Sequence, residues 1–246
     1  MIDERLQKIL SHSGIASRRE AERMILEGRV SVNGKIVTEL GTKANIESDQ
    51  ICVDNQIIHV NVNKIYILLN KPKKIISSTI DDRGRKTVID LISDVKDRIY
   101  PVGRLDFDSE GLIILTNDGT LKNALLNPKY KINKTYIVKI KGSINENQLD
   151  KIRKGIDLDD GRTMPAIIDL IEKSDITSKI KITIFEGKNR QIRRMLACIG
   201  YEVISLKRIE FANLNCYKLK SGQYRHLTQL EIKQLYDLTG LKQWNE

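Results

Sequence analysis

Aromatic residues make up only 5% of the 246-residue chain, too few for extended base stacking to dominate its binding to any partner. Cysteine is scarce as well. Cys52, Cys198 and Cys216 are odd in number, far apart and never arranged as Cys-x-x-Cys, so neither a disulfide framework nor a zinc site is indicated and a reducing compartment fits. No apolar run approaches the ~18 residues of a membrane span, and the opening MIDERLQKIL lacks the apolar core of a signal peptide. The expectation is a soluble cytoplasmic protein without a membrane partner. Phosphate-binding glycine loops, dinucleotide fingerprints and metal-ligand clusters are missing too, so no metal and no cofactor is expected. His12, His59 and His226 stand without a nucleophile motif, which leaves a catalytic triad unsupported.

What the chain does have is positive charge. The formal net charge is +10, which suggests a polyanionic partner. The excess is unevenly placed: residues 1–62 carry 8 Lys/Arg against 9 Asp/Glu, residues 63–173 carry 21 against 16, and residues 174–246 carry 13 against 7. The densest cluster is Lys188, Arg190, Arg193 and Arg194, four cations in seven residues with no acid between them. The segment reads as the start of a helix, where cations oppose the macrodipole unless an anion neutralises them, so phosphate or carboxylate is the expected neighbour.

The length allows a small and a medium domain. At the N-terminus, Leu6, Ile9 and Leu10 follow helical spacing from Asp3 to His12. Ser17 then caps a second helix that stops at Gly28. The stretch from Val30 to Val37 alternates around Asn33-Gly34, a strong hairpin signal. A linker is expected at 61–64, giving domains 1–60 and 61–246. The larger part opens on the apolar strand Tyr66–Leu69, stopped by Pro72. Further strands are expected at Lys134–Ile140, Pro165–Ile171, Ile180–Ile184 and Val203–Leu206, the last continuing into Lys207-Arg208. Helices are expected after Thr120, after the cap Asn145 and after the capping-box start Thr228–Glu231. Strands and helices intermix without regular βαβ repetition, so the fold class is α+β around a mixed, mainly antiparallel sheet.

The most informative stretch is GRLDFDSEGLIILTNDG, Gly103 to Gly119. A charged loop, Arg104 to Glu110, is set against an apolar run that ends at Asn117-Asp118-Gly119, which reads as a buried strand closed by a turn. Asp106, Asp108, Glu110 and Asp118 crowd this segment, and loops held by rigid strands commonly carry catalytic groups. On composition alone, turn formers and solvated charges are the favoured explanation of these acids.

Three motifs occur in one order: GRLDFDSEGLIILTNDG, KTYIVKIKG and EGKNRQIRRML. From about Tyr66 onward the chain resembles the ribosomal RNA pseudouridine synthases of the RsuA/RluB kind. LQKILSHSGIASRREAERMILEGRVSVNGKIV resembles an S4-like RNA-binding domain. The resemblance implies an enzyme that isomerises uridine to pseudouridine in ribosomal RNA, acting as a monomer. Asp106 is implied to be the catalytic aspartate, Tyr136 the active-site tyrosine and Arg193 the basic partner of the aspartate. Arg104 matches an arginine implicated in filling the space left by the extruded base. Arg18, Arg19 and Arg23 are implied to face RNA phosphates, and Lys188, Arg190 and Arg194 are further candidates for that task. The GRLDFDSEG, KTYIVK and YRHLT patterns look more like the large-subunit branch; a small-subunit enzyme or a non-catalytic ribosome-assembly factor are the alternatives. A glycoside hydrolase pairing Asp106 with Glu110 is a rival on chemical grounds.

Overall fold

The computed structural model describes residues 3–58 and 63–242, which fall into two units, Met1–Lys64 and Ile65–Glu246. His59 and part of the expected linker at 61–64 lie outside the described residues.

In the first unit, strand β1 (Glu4–Arg5) precedes helices α1 (Leu6–His12) and α2 (Arg18–Leu26). Strands β2 (Val30–Val32), β3 (Lys35–Val37), β4 (Lys43–Ala44), β5 (Ile51–Val53) and β6 (Gln56–Ile57) follow. Helix α1 starts three residues later than expected because Glu4 and Arg5 pair with Ala44 and Lys43. Ser17 is the cap of α2: the Glu20 N–H donates to its Oγ at 3.1 Å, an arrangement worth roughly 1 kcal/mol. Asn33 and Gly34 both take positive φ at the β2–β3 turn. The apolar faces of the two helices close over Val30, Ile51 and Val53 as one core.

The second unit is built on a sheet of order β13-β14-β10-β15-β9-β7-β17. Its elements in chain order are β7 (Tyr66–Lys71), β8 (Tyr100–Pro101), β9 (Glu110–Thr116), α3 (Gly119–Leu126), β10 (Lys134–Lys141), α4 (Glu146–Arg153), β11 (Asp157–Leu158), β12 (Gly161–Arg162), β13 (Ile167–Lys173), β14 (Thr177–Ile184), α5 (Gln191–Cys198), β15 (Val203–Phe211), β16 (Leu214–Asn215), β17 (Tyr224–His226) and α6 (Gln229–Thr239). Strand β8 pairs with β9, β16 pairs with β15, and β11 with β12 form a separate two-stranded ladder. Along the sheet the pairing is antiparallel except at β15–β9, where Lys207 faces Glu110 and Arg208 faces Gly111 in parallel. The sheet is mixed and mainly antiparallel, as expected.

Both faces of β7 and β9 are covered, which is why these strands read as continuous apolar runs rather than alternating ones. Ile67, Leu69, Ile113 and Leu115 join a core that includes α4 and α5 residues. Tyr66, Leu68, Leu112 and Ile114 point the other way, into a core with α3 and α6. Each such buried aliphatic contributes roughly 1.5–3 kcal/mol, so β9 is a rigid base for the loop before it. Strand β14 alternates instead, with Ile180, Ile182 and Ile184 buried on one side.

Three local expectations shift. Helix α3 is capped by Asp118, not Thr120: Asp118 Oδ1 accepts from the N–H groups of Thr120 (3.1 Å) and Leu121 (3.0 Å). The strand expected from Pro165 runs over Ile167–Lys173 instead, because the N–H of Ala166 bonds to the Arg153 carbonyl rather than to the ladder. The strand expected to run from Val203 into Lys207-Arg208 continues to Phe211.

Candidate active site

The loop that carries Asp106 is pinned on both sides. Ser77 Oγ donates to the Leu105 carbonyl at 2.9 Å and accepts from the Leu105 N–H at 3.1 Å. The Lys74 N–H donates to the Phe107 carbonyl at 2.7 Å, and the Ser109 N–H closes a tight turn on the Asp106 carbonyl at 3.0 Å. With Leu105 buried next to it, Asp106 is held by backbone bonds just ahead of the interior strand β9.

Helix α5 brings guanidinium groups to it. Arg190, in the left-handed region at φ 45°, precedes the helix, which starts at Gln191 rather than Lys188 because Gln191 Oε1 accepts from the Lys188 N–H at 3.0 Å. Arg190 from the cap and Arg193 from the first turn of α5 both reach the acidic loop. Arg193 Nε lies 3.9 Å from Asp106 Oδ2. Its Nη2 pairs directly with Asp108 at 2.9 Å, and its Nη1 donates to the Val203 carbonyl at 3.3 Å. Arg190 Nη1 is 3.6 Å from Asp106 and 3.5 Å from Asp108. The expected Asp106–Arg193 pair is therefore part of a four-membered network, in which the shortest bond runs to Asp108. The side chain of Arg193 is 13% exposed and that of Arg190 46%, so the first contact is the less screened.

The four acids of the central segment thus separate by role. Asp106 and Asp108 meet the arginines. Asp118 is buried, capping α3 and accepting from Tyr66 Oη at 2.8 Å and from Tyr236 Oη. Glu110 begins β9 and is not among the residues lining the cleft at Asp106.

That cleft encloses about 130 Å³ and is lined by Arg104, Asp106, Tyr136, Lys188 and Arg190, with Leu126, Ile184, Leu206 and Phe211 as apolar walls. Tyr136 is buried in β10 between Ile182 of β14 and Arg208 of β15. Lys188 and Arg194 are both engaged by the loop at Asp160. Lys188 Nζ donates to the carbonyls of Asp160 and Gly161, both at 2.7 Å, and Arg194 forms a two-pronged pair with Asp160 at 3.0 and 2.9 Å. The anions that neutralise the start of α5 are carboxylates. In the first unit, Arg18 and Arg19 are exposed on α2, whereas Arg23 pairs with Glu20 at 2.6 Å and Glu27 at 3.6 Å.

Sequence reasoning missed the buried cations around the cleft. Lys71 is fully buried at the end of β7, with Nζ donating to the carbonyls of Pro72 (3.0 Å) and Ile75 (2.8 Å). Burial pushes its ammonium down to about 8, against the opposite pull of Asp106, Asp108 and Glu110. Lys134 lines the cleft, and burial, with help from Arg208, likewise pushes it down to about 8. Arg208 is buried on β15 and also lines the cleft. The one available signal was a charged residue placed inside strand runs that otherwise carry core side chains.

The family described as RNA pseudouridylate synthase matches residues 65–198, and the S4 domain matches residues 4–51. The chain is 50% identical over 234 residues to ribosomal large subunit pseudouridine synthase B of Bacillus subtilis, covering 94% of this chain and 95% of the relative. It is 42% identical to an uncharacterized RNA pseudouridine synthase of Aquifex aeolicus, covering 98% and 97%. A crystal structure of a pseudouridylate synthase superposes with a TM-score of 0.69 at 29% identity, over 94% of this chain and 99% of that one. With one family model spanning residues 65–198 and a relative half identical over nearly the whole of both chains, the chain belongs to the RNA pseudouridylate synthase family and is a pseudouridine synthase.

Proposed function

We propose that this enzyme isomerises a specific uridine of large-subunit ribosomal RNA, with Asp106, Tyr136 and Arg193 as its catalytic residues. The observation that carries the reading is the Asp106 carboxylate, fixed by backbone bonds in a cleft with Tyr136 and within 4 Å of two guanidiniums. The bond from the ribose C1′ to N1 of uracil breaks, the base turns, and C5 joins C1′; the C5 proton is lost and N1 gains one. Atoms and electrons balance, so the reaction consumes no oxidant, reductant or group donor. As C1′ becomes electron-poor, a charged carboxylate is required next to it, as in glycosidases. Asp106 supplies it, Arg193 and Arg190 orient it, and Tyr136 packs against the base.

The target atoms lie within an RNA stack, so the base must be flipped out at roughly a few kcal/mol. Phosphate contacts offset this cost. Domain 1–60 holds RNA through the exposed Arg18 and Arg19, with Arg23 shared with its glutamates, while Arg104 and Arg190 serve at the cleft. Lys188 and Arg194 act chiefly by shaping the start of α5. The enzyme works in the cytoplasm as a monomer. Support for the large subunit comes from the name of the Bacillus subtilis relative, 50% identical over nearly its whole length.

Nucleoside mass spectrometry on large-subunit and small-subunit transcripts tests the substrate. Product in the large-subunit RNA alone is expected, and product only in the small-subunit RNA would overturn the assignment. Asp106→Asn is expected to abolish product with RNA affinity within a few-fold of wild type. Retained turnover would remove Asp106 from its role.

A further inference from the structure

Among the described residues, two buried side-chain donors lining the Asp106 cleft lack a hydrogen-bond partner within the protein: Arg208 Nη2 and Ser109 Oγ. Arg208 is 3% exposed and Ser109 1%. The other half of the Arg208 guanidinium is accounted for, since Nε donates to the Leu112 carbonyl at 2.7 Å and the group lies 5.2 Å from the centre of the Phe211 ring. No carboxylate of the described residues lies within 4 Å of it to form an ion pair. A buried cation and a buried hydroxyl without partners are costly, and here both sit where a substrate enters.

We propose that Arg208 Nη2 and Ser109 Oγ donate to the carbonyl oxygens of the flipped uracil, and that Arg208 stabilises the negative charge which builds on the base as its bond to the ribose breaks. This rests on the reading that Asp106 acts at C1′. When the C1′–N1 bond breaks, its electron pair stays with uracil and spreads over N1, O2 and O4, while Asp106 faces the positive charge left on the sugar. A fixed cationic donor at a carbonyl oxygen bonds more strongly to the anion than to the neutral base, which lowers the barrier rather than only the binding energy. Uracil also has a useful pseudo-symmetry. Turning it over about the N3–C6 axis exchanges N1 with C5 and O2 with O4, so one fixed pair of donors serves the base before and after it turns.

A phosphate fits this position poorly. The walls beside Arg208 are Leu206, Phe211 and Tyr136, all buried, a flat apolar slot suited to a planar ring. The cations at Arg104 and Arg190 are exposed and can reach a backbone phosphate without drying it.

The test is single-turnover consumption of the target nucleoside by the full-length chain, on RNA carrying uridine or 5-fluorouridine at that position. Fluorine makes the departing base a more stable anion, so a missing stabiliser is needed less. R208M is expected to lose roughly 10²- to 10³-fold on uridine, at least about tenfold less on 5-fluorouridine, with RNA affinity nearly unchanged; R208K is expected to lie between R208M and wild type. S109A, which alters no other contact, is expected to lose on the order of tenfold on uridine and less on the fluorinated base, and it decides the matter if R208M fails to fold. Equal losses on both bases, or none, would overturn the proposal. A weaker Kd with a salt slope reduced by about one would overturn it in favour of a phosphate contact. If D106N remained active, the underlying reading would fail whatever the ratio between the two bases.

Discussion

Replacing Arg193 with Met should slow the chemical step far more than replacing Arg190, although Arg190 is nominally nearer to Asp106. Arg193 Nε stands 3.9 Å from the Asp106 carboxylate with a side chain 13% exposed, and Arg190 Nη1 stands at 3.6 Å with a side chain 46% exposed. At such distances a pair of unit charges interacts by about 4 kcal/mol at an effective dielectric of 20 and about 1 kcal/mol in bulk water. Arg193 is expected near the upper figure. Its Nη1 is tied to the Val203 carbonyl and its Nη2 to Asp108, so little ordering is left to do. Arg190 belongs near or below the lower figure, where exposed ion pairs generally fall. At about 1.4 kcal/mol per tenfold, R193M should lose roughly 10²- to 10³-fold in single-turnover rate and R190M no more than about fivefold. The assay is pseudouridine formation under saturating enzyme, with thermal unfolding of each variant as a control for folding. D108N frees one arm of Arg193 but leaves the other two contacts, and should cost less than R193M. An R190M loss equal to or larger than that of R193M would refute the reasoning, because burial would then not decide which guanidinium matters.

Charge removal on α2 should separate its arginines: R19Q is expected to flatten the salt dependence of RNA binding by about one ion, while R23Q, whose guanidinium is already shared with Glu20 and Glu27, changes it less. Equal slopes for all three proteins would mean that this helix does not hold RNA. G111A should destabilise the second unit by ~3 kcal/mol or more in denaturant unfolding. A Cβ there would meet the Arg208 carbonyl oxygen at 2.1 Å in a backbone already at φ 111°, and a neutral result would contradict the close β9–β15 approach. The Arg225 hydrogen bonds hold Glu231 down at about 2 from its ordinary 4.5. A depressed carboxylate stabilises the fold above its unfolded value and loses that contribution as pH falls from about 4.5 to about 2. E231Q should therefore show a flatter acid limb across that window, measured by unfolding at fixed pH values, and an unchanged limb would remove the linkage.

Much of this protein was legible as text because its signals are local. Asn33-Gly34 can turn only one tight way, Ser17 and Thr228 sit one turn ahead of donors they can accept from, and the continuous apolar runs of β7 and β9 demand cover on both faces. The three motifs that mark the family lie within short stretches, so Asp106, Tyr136 and Arg193 could be named from their neighbours in the chain. Asp106, Tyr136 and Arg190 do line one cleft, and Arg193 reaches Asp106 from α5. What tertiary structure decided is which charges meet. Asp108 rather than Asp106 takes the shortest bond to Arg193, the Asp160 loop takes up Lys188 and Arg194, and Asp118 turns inward to two tyrosines. Those partners are separated by 28 positions at Lys188–Asp160 and by as many as 118 at Tyr236–Asp118, and no periodicity encodes such distances. Arg208 is the clearest case. In the chain it is one cation after another, Lys207-Arg208, and only the parallel pairing of β15 with β9 buries it beside the carboxylate loop, where its charge has to be answered by something other than water.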